Sequence, residues 1–478
     1  MGYFQSYQEA RLALNSPGMR KITINRFLEN HILQYCITNI MQEMHVGLDD
    51  TDSTKGMCTT FLAYIITERL LKDRVKFLEY PKLVRLNPNV PWKTRGNGAV
   101  ALHFATDDVE RVRQHITEMV LLYSDLQNGA NPGVVFLEGD NITSHMKRFS
   151  QDALHKIVKI SDAQSIIKQA GGDTLSLGTG MGIIGATAAI AYDFRDSTVE
   201  IITYRRDTNL GTQRHIDPDS VRMMQEKTFP YTFNSYDDDS GHVLIAPRGP
   251  DPVFYGIRGE YPNILHRASS MIIHKERLRG HMIFRTNQGT GDHLQHIIKS
   301  DAMEPHTSGC VQGVVSSEPQ IIPGGHMCFN IHSKGISIPC WTYKPTKLPQ
   351  KLSGLICGDH LIVGGGVRAE SVDHSRSINI ENVHVQRLAP HITYRNPRCE
   401  RCNKSMKSKG RGQHFWCIRC GDKAEHRQQV FIPRKISEGE YSAVMTAHRH
   451  LTRPPQRHNK INRITFEPNT NWVAVYEY

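Results

Sequence analysis

Residues 45–60 read HVGLDDTDSTKGMCTT. A short apolar run, HVGL, ends in Asp49, Asp50 and Asp52, three carboxylates within four residues. Carboxylates this close repel one another unless a cation sits among them. Mg²⁺ is the natural guest, being hard and satisfied by one or two carboxylates plus phosphate oxygens. Asp and Ser serve equally well as turn formers and helix N-caps, and spacing alone favours that plainer use. The next stretch decides the local fold: residues 59–71, TTFLAYIITERLL, repeat apolar positions at three-to-four spacing, so the acidic loop joins a strand to a helix. Lys55 and Gly56 lie just before that helix, where a helix N-terminus can receive phosphate. Thr59 and Thr60 fall in its first turn, either as caps or as hydroxyls facing a transferred phosphoryl group.

A second stretch, RLNPNVPWKTRGNGAVALHF at 85–104, resists a helix because of Pro88, Pro91, Gly96 and Gly98. Its KTRGNG loop carries Lys93 and Arg95 on a glycine-rich turn, suited to neutralising phosphate charge during transfer. No G-x-x-x-x-G-K-[ST] occurs anywhere, which excludes a P-loop. Further on, DTLSLGTGMGIIGATAAIAY at 173–192 reads as strand, turn and helix and contains Gly180-x-Gly182-x-x-Gly185. The acidic residue that a dinucleotide fold needs at the end of the next strand is missing, so close helix packing or backbone approach to a ligand is the better reading.

The strongest local signal is Cys399-x-x-Cys402 and Cys417-x-x-Cys420, with fourteen residues between the pairs. Two such knuckles bring four thiolates to tetrahedral distance, the arrangement Zn²⁺ prefers, and leave no ligand position for substrate. Asn403 and Gly421 follow the second cysteine of each pair and suit the reverse turn of a zinc ribbon. Lys404, Lys407, Lys409, Arg411 and His414 between the pairs form either a solvated loop or a grip on phosphates.

Across all 478 residues, 39% hydrophobic and 22% charged content excludes a disordered chain. No apolar run approaches the ~20 residues of a membrane span, and no secretory signal opens the chain. The six remaining cysteines are scattered, which argues for a reducing compartment, the cytoplasm. A net charge of +11, much of it between residues 398 and 460, suits a polyanionic partner. Strand and helix alternation from Val199 suggests a ferredoxin-like unit. From about Gly313 to Val385 short β-type runs (HMCFNI, ISIPCWTY, DHLIVGGGV) suggest a small barrel, the OB-fold first among candidates.

Taken together, the acidic loop with its helix, the 85–104 stretch, GMGIIGATAAIAY and the late CERC…CIRC pair resemble the archaeal tRNA-Ile 2-agmatinylcytidine synthetase family. The resemblance runs from about Met44 to Asp422. It implies a multidomain α+β chain: an unusual α/β kinase-like domain (44–196), a ferredoxin-like domain (197–305), an OB-fold (306–395) and a zinc ribbon (396–424). Outside it lie an N-terminal extension (1–43, readable as an overlong gene start) and a basic C-terminal tail (425–478). The implied reaction joins agmatine to the wobble cytidine of an isoleucine tRNA with a CAU anticodon, so that it decodes AUA. It implies ATP, Mg²⁺ and a structural Zn²⁺. Asp49, Asp50, Asp52, Lys55, Gly56, Lys93 and Arg95 would then hold Mg-ATP, and Thr59 would carry phosphate. Agmatine carries two positive charges and wants carboxylates; Asp251, in PRGPDPVFYGIRG, is the candidate, against a simple Asp-Pro turn. Phe329, Trp341 and Tyr343 are candidates for stacking on anticodon bases. The competing expectation is a non-catalytic nucleic-acid-binding protein using the OB-fold and zinc ribbon. It differs in needing no ATP and in tolerating Asp49→Ala.

Overall fold

The computed structural model describes residues 41–372 and 374–476. The expected extension over 1–43 lies outside the described residues except for its last three, and Gln42 and Glu43 already belong to the first strand. In chain order the first unit comprises β1 (Gln42–Asp49), α1 (Thr59–Lys72), β2 (Lys82–Arg85), β3 (Gly98–Thr106), α2 (Val109–Tyr123), β4 (Gly133–Glu138), α3 (Ser144–His155), α4 (Ile160–Gln169), β5 (Asp173–Ser176) and α5 (Gly182–Ala191). The strands pair antiparallel in the order β5-β4-β1-β3-β2.

Strand alternation sorts the two faces. Met44, Val46 and Leu48 of β1 share a core with Phe61, Leu62 and Ile66 of α1 and with Ile116 of α2. The opposite face is covered by α3, α4 and α5 through Phe149, Ala163, Ile183 and Ala186. Here the contact is closer than side chains permit: a Cβ on Gly47 would sit 2.2 Å from the Ala186 carbonyl oxygen. One on Gly182 would sit 2.3 Å from the Gly133 nitrogen. The glycine motif therefore brings α5 onto the sheet, and it serves helix packing.

The second unit runs β6 (Thr198–Arg205), α6 (Pro218–Thr228), β7 (Thr232–Phe233), β8 (Val253–Gly259), α7 (Pro262–Ser269) and β9 (Leu278–Thr286). Its strand order β9-β6-β8-β7 is the 4-1-3-2 antiparallel order of the expected ferredoxin-like fold. The two units are one sheet, because β9 pairs parallel with β2 at Arg285–Lys82 and Thr286–Leu83.

Five strands, β10 (Ser308–Val315), β11 (Met327–Ser333), β12 (Ile336–Thr342), β13 (His360–Arg368) and β14 (Ser377–Arg387), close the expected barrel. The circuit runs β10-β11-β12-β14-β13 and back to β10, with only β12 and β14 parallel, the OB-fold arrangement. Phe329 is core here and unavailable to bases, whereas Trp341 and Tyr343 are partly exposed. Strands Ile392–Arg395 and Gln428–Phe431 pair as a neck on either side of the cysteine lobe.

The expected basic tail is a correction. Residues beyond 436 return to the body: β15 (Gly439–Ser442) adds to β14, and β16 (Val473–Val475) adds to β9. Trp472 is buried against Phe77, and Arg457 is fully buried between Asp196 (2.9 Å) and Glu260 (2.7 Å). The segment reads as a polar tail because its charges are matched inside the fold.

Candidate active site

The loop after β1 turns twice through left-handed backbone, at Asp50 (φ 54°) and at Met57 (φ 57°), before α1 begins. It is held from inside by Ser53, whose amide donates to the Gly56 carbonyl at 3.1 Å and whose hydroxyl donates to Asp125 at 2.5 Å. From outside it is held by Arg95. One guanidinium donates to the carbonyls of Met57 (2.7 Å), Ser53 (3.0 Å) and Gly56 (3.2 Å). It also faces Asp52 at 3.3 Å and Asp251 at 3.7 Å. The neighbouring Thr94 hydroxyl donates to Asp52 at 3.3 Å. The acidic loop and the KTRGNG loop, about forty residues apart in sequence, thus form one structure. The loop is packed on directly: a Cβ on Gly96 would lie 2.5 Å from the His450 ring, and one on Gly98 2.7 Å from the Arg85 guanidinium.

The three aspartates divide between adjoining clefts. Asp49 and Asp50 line one with Trp92, Lys93, Thr94 and Met181. Asp52 lines the other, of about 280 Å³, with Thr59, Arg95 and Asp251. Asp49 lies against α5, and only the missing side chain of Gly185 leaves room for its carboxylate, since a Cβ there would be 1.9 Å from Oδ2. Burial, reinforced by Asp50, holds the Asp49 carboxyl well above the usual range. Burial and then Asp52 push Asp50 up to about 6. Asp52 is raised by burial against the opposing pull of Arg95. Carboxylates that resist ionisation beside one another fit a site completed by a cation. Lys93, lining the first cleft, is pushed down by burial and by Arg449.

Thr59 is the first residue of α1, yet it does not cap the helix. The cap position is Cys58, which makes no side-chain cap bond. Thr59 Oγ1 instead accepts from the Thr51 hydroxyl at 3.1 Å, which leaves its own proton available to donate into the cleft. The α1 N-terminus, where the first N–H groups of a helix have no partner within it, opens on the same space. Asp251 is 4% exposed and held by Arg214, which donates to its carbonyl at 2.7 Å. This is more than an Asp-Pro turn, because the carboxylate faces two guanidiniums. Lys55 is exposed and lines neither cleft, and Gly56 supplies the carbonyl that Arg95 holds.

Sequence reasoning passed over Arg85, Glu200, Arg258 and His450, which line the Thr59 cleft. Arg258 pairs with Glu200 at 3.1 Å and meets His450 at 3.0 Å. Arg85 lies inside a stretch already singled out for its loop, but His450 comes from the returning C-terminal segment and carried no signal.

The four cysteines form the expected lobe. Their sulfurs lie within 4.8 Å of one another, with Cys402 and Cys417 at 3.5 Å. Zn–S bonds of ≈ 2.3 Å place sulfurs about 3.8 Å apart, so the set fits Zn²⁺. Asn403 (φ 55°) and Gly421 (φ 71°) take the left-handed turns, each amide donating back at 2.8 Å to the carbonyl of its knuckle's first cysteine. Lys404, Lys407, Lys409 and Arg411 are exposed. Among the described residues, no helix is long and apolar enough to cross a membrane.

Family models of the TiaS TCKD domain, the TiaS FLD domain and the TiaS C-terminal zinc ribbon domain match residues 45–179, 180–293 and 396–436. The chain is 48% identical to the isoleucine-tRNA 2-agmatinylcytidine synthetase TiaS of Cenarchaeum symbiosum, over 91% of this chain and 97% of that protein. It is 37% identical to the enzyme of the same name from Thermococcus sibiricus, over 88% and 98%. Among solved structures, it resembles a complex of TiaS with its isoleucine tRNA and ATP (34% identity, TM-score 0.77) and one with that tRNA, AMPCPP and agmatine (32%, 0.76). In each case 89% of this chain and all of the other are covered.

Proposed function

The chain belongs to the TiaS family, and from that premise we propose that it performs the reaction for which its relatives are named. It is an ATP-dependent ligase that forms a C–N bond between agmatine and a cytidine of the isoleucine tRNA with a CAU anticodon. The cytosine 2-carbonyl oxygen is a poor leaving group, so an amine cannot displace it directly. Transfer of a phosphoryl group from ATP, with the rest of the nucleotide as leaving group, makes that oxygen part of a phosphate ester. Agmatine's primary amine then attacks C2, phosphate departs with the oxygen, and the amine sheds a proton. The ribbon's thiolates require reducing conditions, which together with a tRNA substrate argues for the cytoplasm.

The observation that supports the site assignment is the closure of Arg95 over the acidic loop, in a cleft that Thr59 also lines. In this reading Asp49 and Asp50 from one cleft and Asp52 from the adjoining one would hold Mg²⁺ on the nucleotide, where a bound ion would supply positive charge to the phosphates. Lys93 and Arg95 meet the phosphates, Gly56 keeps Arg95 in place, and exposed Lys55 screens the phosphates from outside. Thr59 accepts and passes on a phosphoryl group. Asp251, whose contact with Arg95 at 3.7 Å is the loosest in the set, turns its carboxylate to the agmatine guanidinium.

The test incubates the purified protein with ATP, magnesium, labelled agmatine and unmodified isoleucine tRNA bearing CAU. Label entering the tRNA only when ATP is present is expected. An intact protein that incorporates none would overturn the assignment.

A further inference from the structure

A second cluster of ligand-type side chains lies at the far end of the strand that delivers the acidic loop. His45 of β1 and His103 of β3 are direct partners across the antiparallel ladder, and their rings stack with centroids 3.9 Å apart. Glu43, on the same face two residues earlier, sets Oε1 2.5 Å from His103 Nε2 and 3.9 Å from His45 Nε2. The three donor atoms lie within 4.8 Å of one another. His45 is only 3% exposed, and its Nε2 has no hydrogen-bond partner among the described residues. A buried polar atom left unpaired is costly, which is the mark of a missing partner.

On its other side His103 presents Nδ1 to Glu79 at 3.2 Å. A carboxylate on one imidazole nitrogen is the usual device for fixing a metal-binding tautomer with the lone pair on the other. Glu79 is itself held by Lys82 at 3.0 Å, and Lys82 reaches the Ile190 carbonyl at the end of α5 at 3.4 Å.

We propose that Glu43, His45 and His103 form a binding site for a zinc-type divalent cation, with Glu79 as the carboxylate that orients His103. Two imidazoles and a carboxylate are a zinc donor set, whereas Mg²⁺ and Ca²⁺ prefer oxygen alone. Bonds of about 2.0–2.1 Å at tetrahedral angles put donor atoms roughly 3.4 Å apart. The observed 2.5 and 3.9 Å straddle that value, and the rings splay from their stack to meet the ion. At 3.2–3.4 Å per strand residue, His45 is about 13 Å from Asp49, so the site is separate from the nucleotide loop. It shares no ligand with the cysteine lobe. The ion would staple the start of β1 to β3.

The experiment equilibrates full-length protein with zinc, removes unbound metal and measures zinc per chain by elemental analysis. Wild type should hold about two equivalents, one in the ribbon and one here. His45→Phe, which keeps a stacked ring but no donor, and Glu43→Gln, at a partly exposed position, should each hold about one. Cys417→Ser should lose the ribbon equivalent and keep the other. Added zinc should raise the melting temperature of wild type and leave that of His45→Phe unchanged. About one equivalent in wild type would overturn the proposal and leave His103 as a histidine clamped between two carboxylates. Two equivalents in both variants would overturn it as well.

Discussion

Gly185→Ala isolates the claim that Asp49 works through its carboxylate. The new Cβ would lie 1.9 Å from Asp49 Oδ2 and 2.6 Å from its Cγ, so the side chain must rotate away or α5 must move. Overpacking of this kind costs about 1–3 kcal/mol. Alanine returns roughly 0.5–1 kcal/mol over glycine inside a helix. The net loss of stability is therefore about 0–2.5 kcal/mol, a shift of a few degrees in melting temperature. The effect on catalysis should be far larger. Displacing a group that stabilises developing charge typically lowers kcat by about 10²-fold or more. Gly182→Ala is the control, because its Cβ would meet backbone on both sides, 2.3 Å from the Gly133 nitrogen and 2.5 Å from the Asp49 carbonyl oxygen. Nothing there can rotate, so that variant should lose stability first. The assay is ATP-dependent transfer of labelled agmatine to tRNA, read beside thermal melting of each variant. A Gly185→Ala protein with transfer within about threefold of wild type would refute the reasoning, since in it either the Asp49 carboxylate or the helix that packs on it has been displaced.

Thr59→Ala should abolish transfer of label from γ-labelled ATP to the protein and lower turnover at least tenfold, with tRNA binding by gel shift nearly unchanged. Loss of tRNA binding would instead make Thr59 a structural residue. Asp50 ionises less readily in the folded chain than in the unfolded one, so stability present below pH 3.8 is lost as pH rises through about 6. Asp50→Asn should therefore raise the melting temperature in metal-free buffer at pH 7 and leave it unchanged near pH 4, while Mg²⁺ should stabilise wild type more than the variant. Cys417→Ser should weaken tRNA binding by about tenfold in filter binding while the main unfolding transition stays in place, because the ribbon has its own small core. Arg457→Met strands the buried Glu260 without its cation, leaves Asp196 with Arg453 alone, and should cost about 3–5 kcal/mol in urea unfolding. A cost near zero would return the C-terminal segment to the status of a surface tail.

What the chain disclosed in advance depended on whether a feature is local. α1 was legible because its apolar spacing spans fourteen residues, and the knuckles because Asn403 and Gly421 are the residues that left-handed turns demand. The barrel and the 4-1-3-2 unit were legible as alternating runs, although the order of strands in space was not. The two-residue pairing of β2 with β9 joins the first two units through backbone hydrogen bonds, and backbone pairing leaves no mark in side-chain pattern. Arg457 and His450 were missed for a different reason. A buried charge is indistinguishable from a surface one until its partners are known, and Asp196, Glu260 and Arg258 lie 190 or more residues away.

That distance bears on how the site is made. Thr59 comes from a helix start, Arg95 from a glycine-rich turn, Asp251 and Arg258 from the ferredoxin-like unit, and His450 from the segment that returns to the body after the cysteine lobe. Arg95 touches both the acidic loop and Asp251, so it couples the carboxylates proposed for the nucleotide to the one proposed for agmatine. Lysine at position 95 would keep the charge but could not reach three carbonyls and two carboxylates at once, since only the planar fork of arginine spans them. The site is thus assembled by tertiary folding from fragments that are each ordinary alone. The acidic loop reads as a turn in isolation, and it becomes a candidate nucleotide site only when the guanidinium from residue 95 closes over it.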